Sequence, residues 1–155
     1  MPYGKRHTMT TKNSHDDVWR HRNIGRLLNN AVSRFEKRIL EEMEKAGHGG
    51  LSLSHITITR NLDINGTRAT ELARRAGITK QSAGELIIQL ESLGLIERRP
   101  DPLDRRAKMV CFTNHGIAWL NAFAHALEIA EQEMAQQLGQ PLFSHLRQAL
   151  LQYVD

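Results

Sequence analysis

The chain of 155 residues contains one cysteine, Cys111, so no internal disulfide framework is available and a reducing cytoplasm is the expected setting. It has no run of about 18 uncharged apolar residues, so no segment reads as a membrane-spanning helix. The stretch MPYGKRHTMTTKNSHDD lacks an apolar signal core, and secretion is not expected. No nucleophile–base–acid set, phosphate-binding loop or dinucleotide fingerprint is present, so neither an enzyme nor a cofactor is expected. None of the histidines (His7, His15, His21, His48, His55, His115, His125, His145) forms a His-x3-His pair or a Cys/His knot. They read as surface or satisfied side chains, and no metal site is expected.

What is present is regional charge. The formal net charge is +4, and the cations cluster. Between Arg98 and Lys108 stand Arg98, Arg99, Arg105, Arg106 and Lys108 against Asp101 and Asp104. From Thr113 onwards Arg147 is the one Lys/Arg cation, against Glu128, Glu131, Glu133 and Asp155. Such local concentration is what a nucleic-acid footprint requires. A second basic stretch runs from Lys5 to Arg38, part of it in residues 1–15, which read as a disordered basic tail.

Hydrophobic periodicity supplies the elements. Ser14 followed by Asp17 resembles a capping box, and Ile24, Leu27, Leu28, Ala31, Val32, Phe35, Ile39 and Met43 recur at helical spacing. One helix of about 30 residues, ending at AGHGG, is expected. LSLSHITITRNLDING alternates like a strand, yet its position favours a short helix. TELARRAG reads as a helix capped by Thr70 and stopped by Gly77. ITKQSAGELIIQLESLG restarts with Thr79 as N-cap, burying Ile78, Ala83, Leu86, Ile87 and Leu90. LIERR and KMVCFT then read as the strands of a hairpin with RPDPLDRRA between them. Two further helices follow, one from Thr113 and one with Pro141 in its first turn.

Helix, turn, helix and hairpin make a winged helix-turn-helix. The expected class is mainly α with a small β-hairpin, flanked by long dimerisation helices. In this arrangement the TKQS helix start presents donors and acceptors to base edges in the major groove. The hairpin offers Arg105 and Arg106 to the minor groove, where a narrow A·T tract attracts guanidinium groups. Pro100 and Pro102 stiffen the finger. Asp101 and Asp104 repel DNA, and their expected work is to hold an arginine through a bidentate pair.

From Thr67 to Gly116 the chain resembles the MarR family of bacterial transcriptional regulators, most specifically in DPLDRRAKMVCFTNHG. With the flanking long helices the resemblance spans roughly 16–154. It implies a single domain over 16–155, with dimerisation helices at 16–50 and 114–155 and a DNA-binding part at 51–113. It also implies an obligate homodimer on a pseudo-palindromic operator in double-stranded DNA, acting as a repressor released by a small phenolic or aromatic-acid effector. By position, Thr79, Lys80, Gln81, Ser82 and Glu85 fall on the recognition helix. Asp104, Arg105 and Arg106 fall on the wing, with Lys108 on the strand behind it. Phe112 replaces the family's usual Leu, and Gly84 and Glu85 stand where many members carry Ser and Arg. Gly84 reads as permitting close backbone approach to DNA or a neighbouring helix. Glu85 is suited to accepting from a cytosine amino group, or to pairing with Lys80.

Three other readings stay open. Trp19, His55 and Trp119 would line an effector cleft, with Arg22 or Arg26 facing an acid, although aromatic residues on apolar helix faces are more often core. A redox- or metal-switched regulator of the same fold would use Cys111 or a histidine; Cys111, within an apolar strand, reads as structural. The third is a winged-helix module that binds protein and not DNA.

Overall fold

The computed structural model describes residues 17–155. The tail expected over 1–15 and the Ser14 cap lie outside them. The described chain runs α1 (Val18–Arg22), α2 (Ile24–Lys45), α3 (Leu53–Asn61), β1 (Thr67–Arg68), α4 (Ala69–Ala76), α5 (Lys80–Ser92), β2 (Ile96–Pro100), β3 (Lys108–Phe112), α6 (Asn114–Leu138) and α7 (Gln140–Val154).

The long first helix expected from periodicity is two helices. Asn23 takes extended backbone angles, φ −68° and ψ 154°. Its side-chain amide donates to the Trp19 carbonyl at 2.8 Å, while its Oδ1 accepts the Arg26 N–H at 2.9 Å. An asparagine that satisfies backbone groups on both sides competes with helix continuation. Two compact units divide inside α2, one up to Phe35 and one from Glu36 onwards. In the first, Val18, Trp19, Ile24, Leu27 and Val32 are exposed.

In the second unit, α3, α4 and α5 pack on one another, and α4 and α5 pack on the sheet. Ile58, Leu72, Ile87, Leu90, Ile96 and Val110 are fully buried at their centre. The ambiguous LSLSHITITRN segment is helical, started by a capping box. Ser52 N–H donates to His55 Nδ1 at 3.0 Å while the Ser52 side chain meets the first turn. The α4 start differs from expectation: Arg68 is at the N-cap, no side chain caps the helix, and Thr70 lies inside it. Gly77 does end α4, in the left-handed region at φ 66°.

The sheet has three antiparallel strands in the order β1-β3-β2. The hairpin pairs Ile96 with Phe112 and Pro100 with Lys108. Pro100 is tolerated because β2 is an edge strand. Strand β1 was not expected; two residues carry no periodicity, and only pairing with β3 (Thr67 with Val110) defines it. Gly66 precedes it at φ +95°, where a Cβ would fall 2.7 Å from Cys111 Sγ. Cys111 is accordingly buried on the central strand.

Thr113 caps α6, accepting the Gly116 N–H at 2.9 Å and donating to the Gly94 carbonyl at 2.5 Å. Arg38 ties α2 to α6 by two hydrogen bonds of 2.7 Å to the two Glu133 carboxylate oxygens, and it also pairs with Glu42 at 2.5 Å. These carboxylates raise the Arg38 pKa and keep it charged. Helix α7 begins with Pro141 in its first turn and has no buried residue.

Candidate nucleic-acid interface

Helix α5 begins with a capped and therefore well-defined turn. Thr79 Oγ1 accepts the Ser82 N–H at 3.0 Å and donates to Ser82 Oγ at 2.9 Å. Thr79 and Ser82 thus spend hydroxyl capacity on the cap, while Lys80 and Gln81 are exposed beside them. Lys80 has no ion-pair partner among the described residues, and Glu85 takes its contact from Gln81, whose Nε2 donates to Oε1 at 3.4 Å. The Lys80–Glu85 pairing considered from sequence is not formed. Gly84, on the same helix, has nothing within 4 Å of a Cβ built on it, so no neighbouring helix explains its small size.

The wing is a turn built on two aspartates. Asp101 is buried to 5% exposure, and its Oδ1 accepts the Leu103 N–H at 2.8 Å. Asp104 Oδ1 accepts the Arg106 N–H at 3.0 Å, and Ala107 N–H donates to the Asp104 carbonyl at 2.9 Å. Side-chain oxygens that mimic backbone acceptors are what make Asp a turn former. The braced arginine is Arg68, on β1: its Nε and Nη2 donate to Asp101 Oδ2 at 2.8 and 2.5 Å. The brace therefore joins the wing to the start of α4, and it uses one carboxylate oxygen, not the two that a bidentate pair would. The Leu103 amide first, and then Arg68, hold the Asp101 carboxyl below the usual aspartate range.

Charge pairing sorts the cations. Residues 51–113 contain Arg60, Arg68, Arg74, Arg75, Arg98, Arg99, Arg105 and Arg106. Arg60 pairs with Glu36 at 3.0 Å, Arg98 with Glu91 at 3.3 Å, and Arg99 with Glu97. Arg74 and Arg75 converge on Glu71, and Arg75 also reaches Asp63 at 3.0 Å. Arg74 and then Arg75 lower the Glu71 pKa to about 2. Arg105 and Arg106 alone of the eight have no carboxylate partner among the described residues, and both are exposed. Lys108, exposed behind them, is likewise unpaired among the described residues.

The side chains considered for an effector are dispersed in character. Trp19, Arg22 and Arg26 are exposed in the first unit. His55 and Trp119 are buried in the second. Both His55 ring nitrogens are used: Nδ1 accepts from Ser52, which leaves Nε2 to donate to Gln89 Oε1 at 2.7 Å, linking α3 to α5. Trp119 stacks on Phe123 with ring centres 5.1 Å apart, and its indole N–H has no hydrogen-bond partner among the described residues. Among the described residues no three His, Cys, Asp or Glu side chains come together as a metal-holding group.

A sequence model described as the MarR family matches residues 49–107, the segment that builds α3 to the wing. Over these residues the winged helix resembles the MarR family. The surrounding fold is also that of the family's solved structures. CouR bound to a 23-mer DNA duplex is 22% identical, covering 90% of this chain and 97% of that one, with a TM-score of 0.68. CouR from Rhodococcus jostii RHA1 bound to p-coumaroyl-CoA is 20% identical, covering 83% and 90%, with a TM-score of 0.66. Apo wild-type MarR from E. coli is 18% identical, covering 85% and 97%, with a TM-score of 0.69. No curated protein matches the chain by sequence. Arg68 is a member of the wing brace that sequence reasoning missed, because only strand pairing brings it to Asp101.

Proposed function

We propose that the chain is a homodimeric, cytoplasmic regulator that binds a pseudo-palindromic operator in double-stranded DNA and represses transcription. One observation carries this reading: six of the eight arginines of the winged helix are paired with carboxylates of the chain, five within the winged helix and Arg60 with Glu36 of α2, and the pair at the wing tip is left unpaired among the described residues. Unpaired guanidinium groups on a braced finger suit a phosphate-lined minor groove. Lys80, Gln81 and Glu85 would meet the adjacent major groove, with Thr79 and Ser82 fixing the helix start, and Asp104 shaping the wing that carries Arg105, Arg106 and Lys108. Dimerisation would fall to the segments 16–50 and 114–155. Helix α7 supports this, since Leu142, Leu151, Tyr153 and Val154 are each more than half exposed, at 56, 56, 83 and 74%. Two recognition helices would then lie one helical turn of DNA apart, about 34–36 Å.

The test is a salt titration on DNA selected by the purified protein. Affinity should fall steeply from about 50 to 200 mM salt, with a log–log slope of roughly −0.9 for each phosphate neutralised. Binding that is absent, or flat with salt, would leave the protein-binding module as the better account.

We also propose release by a small aromatic acid or its thioester, as the ligand of CouR illustrates. Trp119 supports this, because a buried indole N–H without an acceptor is uncommon in a folded protein. In a Trp19→Phe protein, where Trp119 is the remaining tryptophan, p-coumarate or p-coumaroyl-CoA is expected to change its emission and release the operator. Unchanged emission with the operator retained, for both compounds, would remove this effector class.

A further inference from the structure

The wing tip holds an apolar side chain that its charge chemistry does not use. Leu103 is 96% exposed, more than any other large apolar residue among those described. Single exposed leucines are ordinary on protein surfaces. This one differs in being held out by its surroundings. Its own amide donates to the buried Asp101 at 2.8 Å, and Asp101 is held in turn by Arg68. The next amide, that of Asp104, donates to the Asp101 carbonyl at 3.3 Å, and Pro102 fixes the backbone on the other side. Turning the Leu103 backbone in towards the protein would break these bonds. Two and three residues further on stand Arg105 and Arg106, the unpaired arginines.

We infer that Leu103 enters the minor groove with those arginines and packs its side chain on the deoxyribose walls. This rests on the DNA-binding reading above. Minor-groove proteins use leucine among their apolar insertions, and sugar walls are the apolar surface a duplex offers next to its phosphates. The contact carries no charge and reads no base edge. It therefore adds affinity that is independent of salt and tolerant of sequence, whereas the arginine contacts weaken as salt rises.

The experiment compares wild type, Leu103→Ser and Leu103→Met by fluorescence anisotropy on a labelled operator and on a scrambled duplex, across a salt series. Leu103→Ser should weaken binding roughly tenfold on both duplexes, because apolar burial is removed, with an unchanged salt slope. Leu103→Met should restore most of the affinity, because the two side chains have similar volumes. If wild type binds with a steep slope and Leu103→Ser binds equally well, the leucine contact is wrong while DNA binding stands. An altered slope for Leu103→Ser would also overturn it. A DNA bend that disappears in Leu103→Ser would place the side chain between base steps and overturn the sugar-wall contact. If wild type binds neither duplex, the DNA reading falls and this inference falls with it.

Discussion

Replacing Gly116 by alanine is expected to lower the melting temperature by about 6–12 °C or more, at fixed protein concentration. A Cβ at this position, in the first turn of α6, would lie 1.9 Å from the Leu95 carbonyl oxygen and 3.1 Å from Phe112 Cδ1. The nearer atom is backbone, so no side-chain rotation relieves the clash. The helix must move away from the end of α5 and from the strand that packs on it, and Thr113 must release the Gly94 carbonyl or the Gly116 amide. Overpacking a rigid site costs about 3 kcal/mol at the upper end of the usual range. For a protein of this size each kcal/mol moves the melting temperature by about 2–4 °C. Gly84→Ala is the matched control. It too lies inside a helix, but nothing is within 4 Å of the added carbon. Higher helix propensity should stabilise it by about 0.5–1 kcal/mol. Thermal melts of the two variants decide the matter, and a Gly116→Ala protein melting with wild type would refute the close approach.

Removing both unpaired wing arginines, as Arg105→Ala with Arg106→Ala, is expected to weaken operator binding by on the order of a hundredfold at moderate salt. The weakening should appear on every DNA sequence, and the salt slope should become shallower by roughly 0.9 for each phosphate that is no longer neutralised. Gln81→Ala should instead change which sequences are preferred, because in the proposed complex the exposed Gln81 amide would meet base edges. Arg99→Ala provides the internal contrast. Arg99 is already engaged by Glu97, whose hydrogen bond is the largest cause of its raised pKa, so little charge is withdrawn from DNA. Equal weakening by Arg99→Ala and Arg105→Ala would show that internal pairing does not sort these cations, and the basis for the proposed function would fail.

Much of the architecture was legible in the chain because its signals are local. Thr79 caps α5, Gly77 closes α4 and Pro141 opens α7, each for a reason contained within a few residues. The alternation on either side of RPDPLDRRA was enough for the hairpin. The misreadings have the opposite character. The apolar stripe begins only at Ile24 and residues 20–23 are all polar, so periodicity could not register that Asn23 turns its amide onto the backbone. Thr70 looked like a cap because threonine is a common capping residue, yet strand β1 carries the chain into α4 two residues earlier, with Arg68 at the N-cap. His55 resembled a ligand-facing aromatic residue and is instead hydrogen-bonded at both nitrogens inside the fold.

By itself, the sequence determined the order of the elements from α3 onwards other than β1, the winged-helix class and the region where cationic character concentrates. Those properties follow from residue type, spacing and periodicity along the chain. Only the tertiary structure decided which cations remain available, which carboxylate braces which arginine, and which helical glycine is indispensable. Arg98 and Arg105 are indistinguishable as letters; Glu91 lies 3.3 Å from the first, and no carboxylate among the described residues pairs with the second. Arg68 and Asp101 are 33 positions apart and meet because β1 and β2 flank β3. Pairing and steric contact depend on distance in space, and the folded sheet and helices set those distances.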